Sequence, residues 1–282
     1  MLIASPLASL PKQWQVWIEE NLARSCEPAS MANVMIRDGR FDPHLAYAAI
    51  EEARGAPVSP PPARQALPEI DTSANTVLAG DRMVDIRLSL KAPRIVLVGN
   101  LLADDECDAL IRYAETRLER SPVVADRDGS NEVNAYRTSR GAMMQRGETA
   151  LVARIEARLA ALVRWPVENG EGMQLLRYEK GNEYRPHYDW FDPAMPGPRK
   201  HLERGGQRVG TVVIYLSDVE QGGGTSFPHI GLQVQPKKGS AVFFANTDPF
   251  GTPDQKTLHA GEPVEKGVKF IATKWLRAGA YR

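Results

Sequence analysis

The chain has 282 residues, 43% of them hydrophobic and 25% charged, with 35 basic residues balanced by 35 acidic ones. That composition is globular, with apolar material for one large domain or a medium domain with an appendage, and its neutrality argues against nucleic acid or a membrane surface as main partner. No segment approaches the roughly 18 apolar residues of a membrane span. The start, "MLIASPLASLPKQWQVW", lacks the cationic region and apolar run of a signal peptide. Two cysteines, Cys26 and Cys107, are expected as reduced thiols, so a soluble cytoplasmic protein is the expectation.

The first third reads as helical. Trp14, Trp17, Ile18 and Leu22 recur at helical spacing and make one apolar stripe. A short helix is expected around Ala29–Arg37, with Gly39 as its stop. "FDPHLAYAAIEEARG" then offers Asp42 as N-cap, Pro43 at the first helical position and Gly55 as C-terminal stop. The prolines of residues 56–70 can neither donate nor continue a helix. Residues 56–80 are therefore read as a linker between an N-terminal helical region, 1–55, and a second domain, 81–282.

Beyond the linker, "MVDIRLSL" and "RIVLVGN" read as strands. Two amphipathic helices follow, about Asp104–Leu118 and Glu148–Val163, and between them a polar loop, Ala125–Asn134, leads into a strand. After Trp165, short strands punctuated by Gly and Pro dominate: "MQLLRY", "RVGTVVIYL", "TSFP", "LQVQP", "SAVFF", "KTLH" and "VKFIATKWL". That is the pattern of a sandwich or barrel, most simply a jelly roll with helices packed on one face, and the fold class is α+β. The longest irregular stretch here, Phe191–Gln207, has a length usual for functional or disordered loops.

Chemistry gathers around "YRPHYDW". His187 and Asp189 sit two positions apart, and His259 ends a predicted strand 72 residues later. Two imidazoles and one carboxylate leave three coordination positions open, the facial arrangement of non-haem Fe(II) oxygenases. A zinc hydrolase would also use such a pair, but no general-base motif or Cys-rich cluster accompanies it. His44, His201 and His229 read as ordinary helix, loop and turn residues. Lys269 lies on the final strand on the face of Ile271, whereas Phe270 and Lys274 point the other way. A lysine facing inward needs an anion, and periodicity leaves open which of the two lysines does so.

An ordered set of motifs from about Arg94 to Leu276 resembles the prolyl 4-hydroxylase branch of the 2-oxoglutarate- and Fe(II)-dependent dioxygenases. The motifs are "YRTSRG", "LLRYEKGNEYRPHYDWFDP", "GGQRVGTVVIYLSDVEQGGGTSFP", "VQPKKGSAVFF" and "LHAGEPVEKGVKFIATKWL". The resemblance implies a double-stranded β-helix, the jelly-roll variant already indicated, and leaves the N-terminal third uncovered. It implies Fe(II) bound by His187, Asp189 and His259. It implies 2-oxoglutarate held through its far carboxylate by Lys269, with Tyr178 and Thr225 as hydrogen-bond partners. O2 is the further cosubstrate, and ascorbate joins the expected cofactors. Tyr184 and Arg208 are implied at the reacting side of a peptide groove, with Arg137, Ser139, Glu171 and Trp275 contacting substrate.

Two departures stand out. The family's Gly-Gly-Glu-Thr is Gly-Gly-Gly-Thr here, at Gly222–Thr225, and its Ile-His after "TKW" is Leu276-Arg277. Both bear on substrate and leave the ligand set intact. The function expected is hydroxylation of an unactivated C–H, foremost prolyl 4-hydroxylation in a proline-containing peptide or protein, with 2-oxoglutarate converted to succinate and CO2. Rival readings are hydroxylation of a free amino acid or other small molecule, and a catalytically silent jelly-roll binding protein.

Overall fold

A computed structural model of the chain describes residues 5–58, 65–120, 123–124, 131–132, 137–192 and 195–282. It divides into two compact units between Arg64 and Gln65. In the first, helices Lys12–Ala23, Pro28–Arg37 and Pro43–Arg54 bury Ile18, Met31, Met35, Ala49 and Ile50 against one another. Their ends follow local chemistry. The Glu27 carboxylate accepts from the amides of Ala29 and Ser30, and Asp42 accepts from those of His44 and Leu45. Gly55 closes the third helix at φ 69°, a left-handed conformation that glycine adopts without a Cβ penalty. Trp14 meets Trp17 and Phe41 edge-on at 5.2 and 5.3 Å.

In the second unit the alternating segments become two main sheets. The larger is antiparallel with nine strands, in the order Thr76–Ala79, Arg82–Leu90, Ile95–Gly99, Ala241–Ala245, Arg208–Tyr215, Lys269–Arg277, Gly170–Tyr178, Arg140–Met144 and Glu119–Arg120. The smaller has four, in the order Leu232–Val234, Thr225–Phe227, His259–Gly261 and Tyr184–His187. Side chains two positions apart share a face of a strand. Val212 and Ile214, Phe243, and Phe270 and Ala272 accordingly enter a core that includes Leu110 of helix Asp104–Glu115 and Ile155 of helix Ala150–Val163. Their neighbours Val213, Tyr215, Val242, Phe244 and Ile271 enter a second core with Phe227 and Val234 of the smaller sheet. Strands covered on both faces read as unbroken apolar runs, which explains "VVIYL" and "AVFF". Each fully buried side chain of this kind contributes about 1.5–3 kcal/mol. The result is the expected jelly roll with helices on one face.

Two details differ from the sequence reading, and a third stretch lies almost wholly outside the described residues. The strand Thr76–Ala79 and the residues before it lie inside the stretch read as linker, yet they belong to the second unit. Ile70 is in its core, the Glu69 amide donates to Val163 O at 2.8 Å, and the Glu69 carboxylate pairs with Arg94. Prolines mark where a helix must stop and say nothing about where packing begins. The stretch Phe191–Gln207 is not wholly irregular, since it contains the short helix Pro196–Lys200. Of the loop Ala125–Asn134, only 131–132 are among the described residues, as a two-residue strand.

This boundary is testable by truncation. Removing residues 1–64 should leave the second unit folded, whereas cutting through residue 70 also removes Ile70 and the Glu69–Arg94 pair, at a cost of about 2–5 kcal/mol. Thermal melts of the two truncations should differ by several degrees. Equal melting temperatures would move the boundary to residue 70.

Candidate active site

Tyr184–His187 pairs with His259–Gly261 so that His187 lies directly across from His259 and Tyr184 across from Gly261. Opposed residues carry their side chains on one face about 5 Å apart, and here the two imidazole centroids are 4.3 Å apart. Asp189, just past the strand end, reaches both rings. One carboxylate oxygen is 3.8 Å from Nε2 of His187 and the other 3.6 Å from Nε2 of His259. Ligand atoms of all three residues lie within 4.8 Å of one another, the one group of this kind among the described residues.

Backbone carbonyls set the tautomers. Nδ1 of His187 is 2.8 Å from Arg185 O, and Nδ1 of His259 is 3.0 Å from Thr257 O. A carbonyl only accepts, so each Nδ1 carries the hydrogen and each Nε2 presents a lone pair. Burial first, then the neighbouring His259, pull His187 down to about 3 despite Asp189. Its ring is therefore neutral at neutral pH. Burial alone would raise Asp189, but His259, His187, Arg208 and a hydrogen bond from Thr211 outweigh it and hold the carboxyl below its usual range. Two imidazoles and one carboxylate converging in this way suit Fe(II) and leave coordination positions for exogenous ligands.

A layer of polar groups behind Asp189 was not legible in the sequence. Thr211 Oγ1 donates to Asp189 Oδ2 at 2.8 Å, and Asn246 Nδ2 donates to Thr211 Oγ1 at 3.0 Å. Both residues are fully buried. The only signal was a hydroxyl inside an apolar strand, "RVGTVVIYL".

The three candidate ligands open on a narrow cavity that is also lined by Arg137, Tyr178, Tyr184, Thr225, Lys269 and Trp275. The Tyr184 ring stacks on that of His187, centroids 3.5 Å apart at 16°. Burial above all pushes its phenol up to about 12, so it stays neutral. Arg137 lies over the outer face of this assembly, 4.8 Å from the Tyr184 centroid, and donates to Ser139 at 3.2 Å and Gln174 at 2.8 Å. Thr225 accepts from the buried Tyr215 hydroxyl at 2.8 Å.

Lys269 and Lys274 are both buried, on opposite faces of the final strand. Lys274 pairs with Glu156 of helix Ala150–Val163. Lys269 faces the cavity, 5.3 Å from the Tyr178 ring and 6.0 Å from that of Tyr215, and no carboxylate pairs with it among the described residues. Burial lowers it to about 7, with Glu262 opposing only in part.

Arg208 and Glu171 stand one layer back from the cavity lining, not within it. Arg208 Nε and Nη2 donate to the two Glu171 oxygens at 2.6 and 3.0 Å, and the guanidinium lies 4.0 Å from the Trp275 centroid. Ser139, fully buried, holds Arg137. A roomier groove of about 710 Å³ runs between Arg82, Gly99 and Lys238. Its lysines are already paired, Lys237 with Asp218 and Lys238 with Asp108, and among the described residues no metal-ligating cluster lies there, so the chemistry belongs to the narrower site.

Comparison with known proteins agrees with this geometry. A family profile described as the 2OG-Fe(II) oxygenase superfamily matches residues 173–277. The chain is 40% identical to probable prolyl 4-hydroxylase 6 of Arabidopsis thaliana, over 67% of this chain and 70% of that one. It is 37% identical to prolyl 4-hydroxylase 5 of the same plant, over 72% and 74%. The chain belongs to the prolyl 4-hydroxylase branch of the 2OG-Fe(II) oxygenases. Its fold is similar to the crystal structure of the viral collagen prolyl hydroxylase of Paramecium Bursaria Chlorella virus-1 in its 2OG complex, with a TM-score of 0.52 and 30% identity over 65% of this chain and 95% of that one. As a member of this branch it is a dioxygenase that uses Fe(II), 2-oxoglutarate and O2.

For this dioxygenase the support behind Asp189 makes a direct prediction. Thr211→Val removes a donor and leaves a buried carboxylate oxygen unsatisfied, so divalent-metal affinity should fall about 10–100-fold. Calorimetric titration of the metal-free protein with Mn(II) measures this, and an unchanged affinity would show that Asp189 needs no such support.

Proposed function

We propose that this dioxygenase hydroxylates prolyl residues within a peptide or protein, at C4, with 2-oxoglutarate converted to succinate and CO2. One observation carries the reading. His187, Asp189 and His259 share a cavity with Lys269, a buried ammonium that no carboxylate of the chain neutralises among the described residues. A buried cation without an anion is costly, and the far carboxylate of 2-oxoglutarate is the anion this cavity lacks. Tyr178 and the Thr225 hydroxyl stand beside that position.

His187, Asp189 and His259 would hold Fe(II), which when bound supplies, with 2-oxoglutarate and O2, the oxidising power to hydroxylate an unactivated C–H. The chain's own residues do the rest. Lys269 anchors and orients the cosubstrate through its charge. Tyr184 covers one face of the His187 ring and keeps water from that side. Arg137 and Trp275 form the walls a substrate meets. Trp275 Nε1 is buried without an acceptor among the described residues. Arg208 and Glu171 hold that wall from behind. The substrate class is supported by the relatives, which are named as prolyl 4-hydroxylases and, for the viral structure, as a collagen prolyl hydroxylase.

The test is succinate release with Fe(II) and 2-oxoglutarate, comparing poly-L-proline with free proline. Turnover stimulated by the peptide supports the reading, and stimulation by free proline alone overturns it. Lys269→Ala should weaken 2-oxoglutarate binding by about 2–5 kcal/mol, a loss of 30-fold or more. The pH dependence follows from the lysine titrating at about 7 before the cosubstrate binds. Below pH 7 the ammonium is already charged and affinity is flat; above it, binding must take up a proton, so affinity falls by up to about tenfold per pH unit. A flat affinity from pH 6 to 9 would remove Lys269 as the anchor.

A further inference from the structure

Arg277 closes the final strand and is only 2% exposed, although it lies five residues from the end of the chain. Strand alternation alone does not bring it to a carboxylate. By period two, Glu171 would share the helix-facing side with Met173 and Leu175. The register slips between Lys274 and Leu276, however, and Glu171 and Gly172 together oppose the single residue Trp275. Such a bulge re-aims a side chain, and a Cβ at Gly172 would meet Met144 O at 2.5 Å. Glu171 is thereby turned toward the two arginines.

Arg277 then makes contacts on three sides. Its Nε donates to Glu171 Oε1 at 2.7 Å, and its Nη1 donates to His201 O at 2.9 Å and to Gly206 O. Its guanidinium lies 5.0 Å from the Phe191 centroid, and Phe191 stacks on His201. On its other side Glu171 takes both nitrogens of Arg208, whose remaining Nη1 reaches Asp189 O at 3.4 Å. One carboxylate is thus held between two guanidiniums. Burial alone would raise its pKa; Arg208 and then Arg277 outweigh that and keep it ionised.

We propose that Arg277 is a positioning residue of the substrate wall. It locks Glu171, and through Glu171 the Arg208 guanidinium, against Trp275 and the Asp189 carbonyl. The same guanidinium ties this assembly to the backbone of His201–Gly206, the segment that leads into the strand carrying Arg208. Only arginine offers a planar fork with donors in several directions at once; lysine keeps the charge as a single point, and glutamine keeps neither charge nor reach. Arg277 is absent from the cavity lining, so it acts through Arg208 and Trp275 rather than on substrate. The proposal rests on the reading that a prolyl peptide docks against Trp275.

The test uses the full chain and the variants Arg277→Gln and Arg277→Lys. In Arg277→Gln, amide exchange across residues 201–208 should rise about tenfold or more while strands Ile95–Gly99 and Thr225–Phe227 stay within about twofold, the mark of a local opening. Arg277→Lys should fall between the variant and the parent. With poly-L-proline the KM should rise about tenfold at nearly constant kcat and unchanged 2-oxoglutarate KM, the signature of lost uniform binding. Adding Arg208→Lys to Arg277→Gln should cost little more than the worse single change, because the two act as one unit. Unchanged exchange at 201–208, or a rise spread evenly over the unit, overturns the proposal. If Arg277→Gln fails to fold, Arg277→Lys supplies the same comparison. Absence of turnover by the parent chain with any prolyl peptide would instead overturn the functional reading, and the exchange result would still decide the brace.

Discussion

The antiparallel pairing of Tyr184–His187 with His259–Gly261 sets His187 directly opposite His259, and the site is assembled around that register. A slip of one residue at this pair would send one imidazole to the far side of the sheet, because neighbouring side chains on a strand point to opposite faces. Arg185 on the first of these strands and Thr257, two residues before the second, supply the backbone carbonyls that fix both tautomers. Ligand direction and ligand protonation therefore have a common origin in the main chain. Asp189 completes the set from just beyond the strand, where Thr211 of the larger sheet, itself held by Asn246, donates to its carboxylate.

The final strand shows how one element serves two unrelated tasks. Its even-numbered residues Phe270, Ala272 and Lys274 face the helices, while Lys269, Ile271, Thr273 and Trp275 line the cavity. Lys274 meets a built-in anion, Glu156, and is structural. Among the described residues Lys269 meets aromatic rings and a distant carboxylate, and so keeps a charge-binding capacity that they do not satisfy. The two lysines differ in what covers them and hardly at all in how deeply they lie.

The wall near Asp189 follows another rule of buried charge. An isolated arginine–carboxylate pair removed from water gains little over an apolar packing, but leaving either partner alone is strongly unfavourable. Placing Glu171 between Arg208 and Arg277, with Trp275 and Phe191 against the guanidiniums, gives every charged group a partner. The arrangement specifies geometry more than it adds stability. Its exactness of direction matters because Trp275 stands between it and the cavity.

Sequence by itself determined the strand-rich second unit and the ends of helix Pro43–Arg54. Those features are local or follow a fixed period: Asp42 and Gly55 act on amides and dihedrals within a few residues, and "GTVVIYL" reports two covered faces wherever it folds. The long motif order likewise placed Lys269 beside the ligands. Other features were decided only in three dimensions. Periodicity put Lys269 and Lys274 on opposite faces, but burial of both required knowing that helices cover one face and the smaller sheet the other. The bulge at Glu171–Gly172 reversed the face that alternation assigns, since register is a property of two paired strands. Thr211 and Asn246 gained their purpose from a carboxylate 22 and 57 residues away in the chain. Arg277 read as a departure at a chain end until the fold set Glu171, 106 residues earlier, within hydrogen-bonding distance.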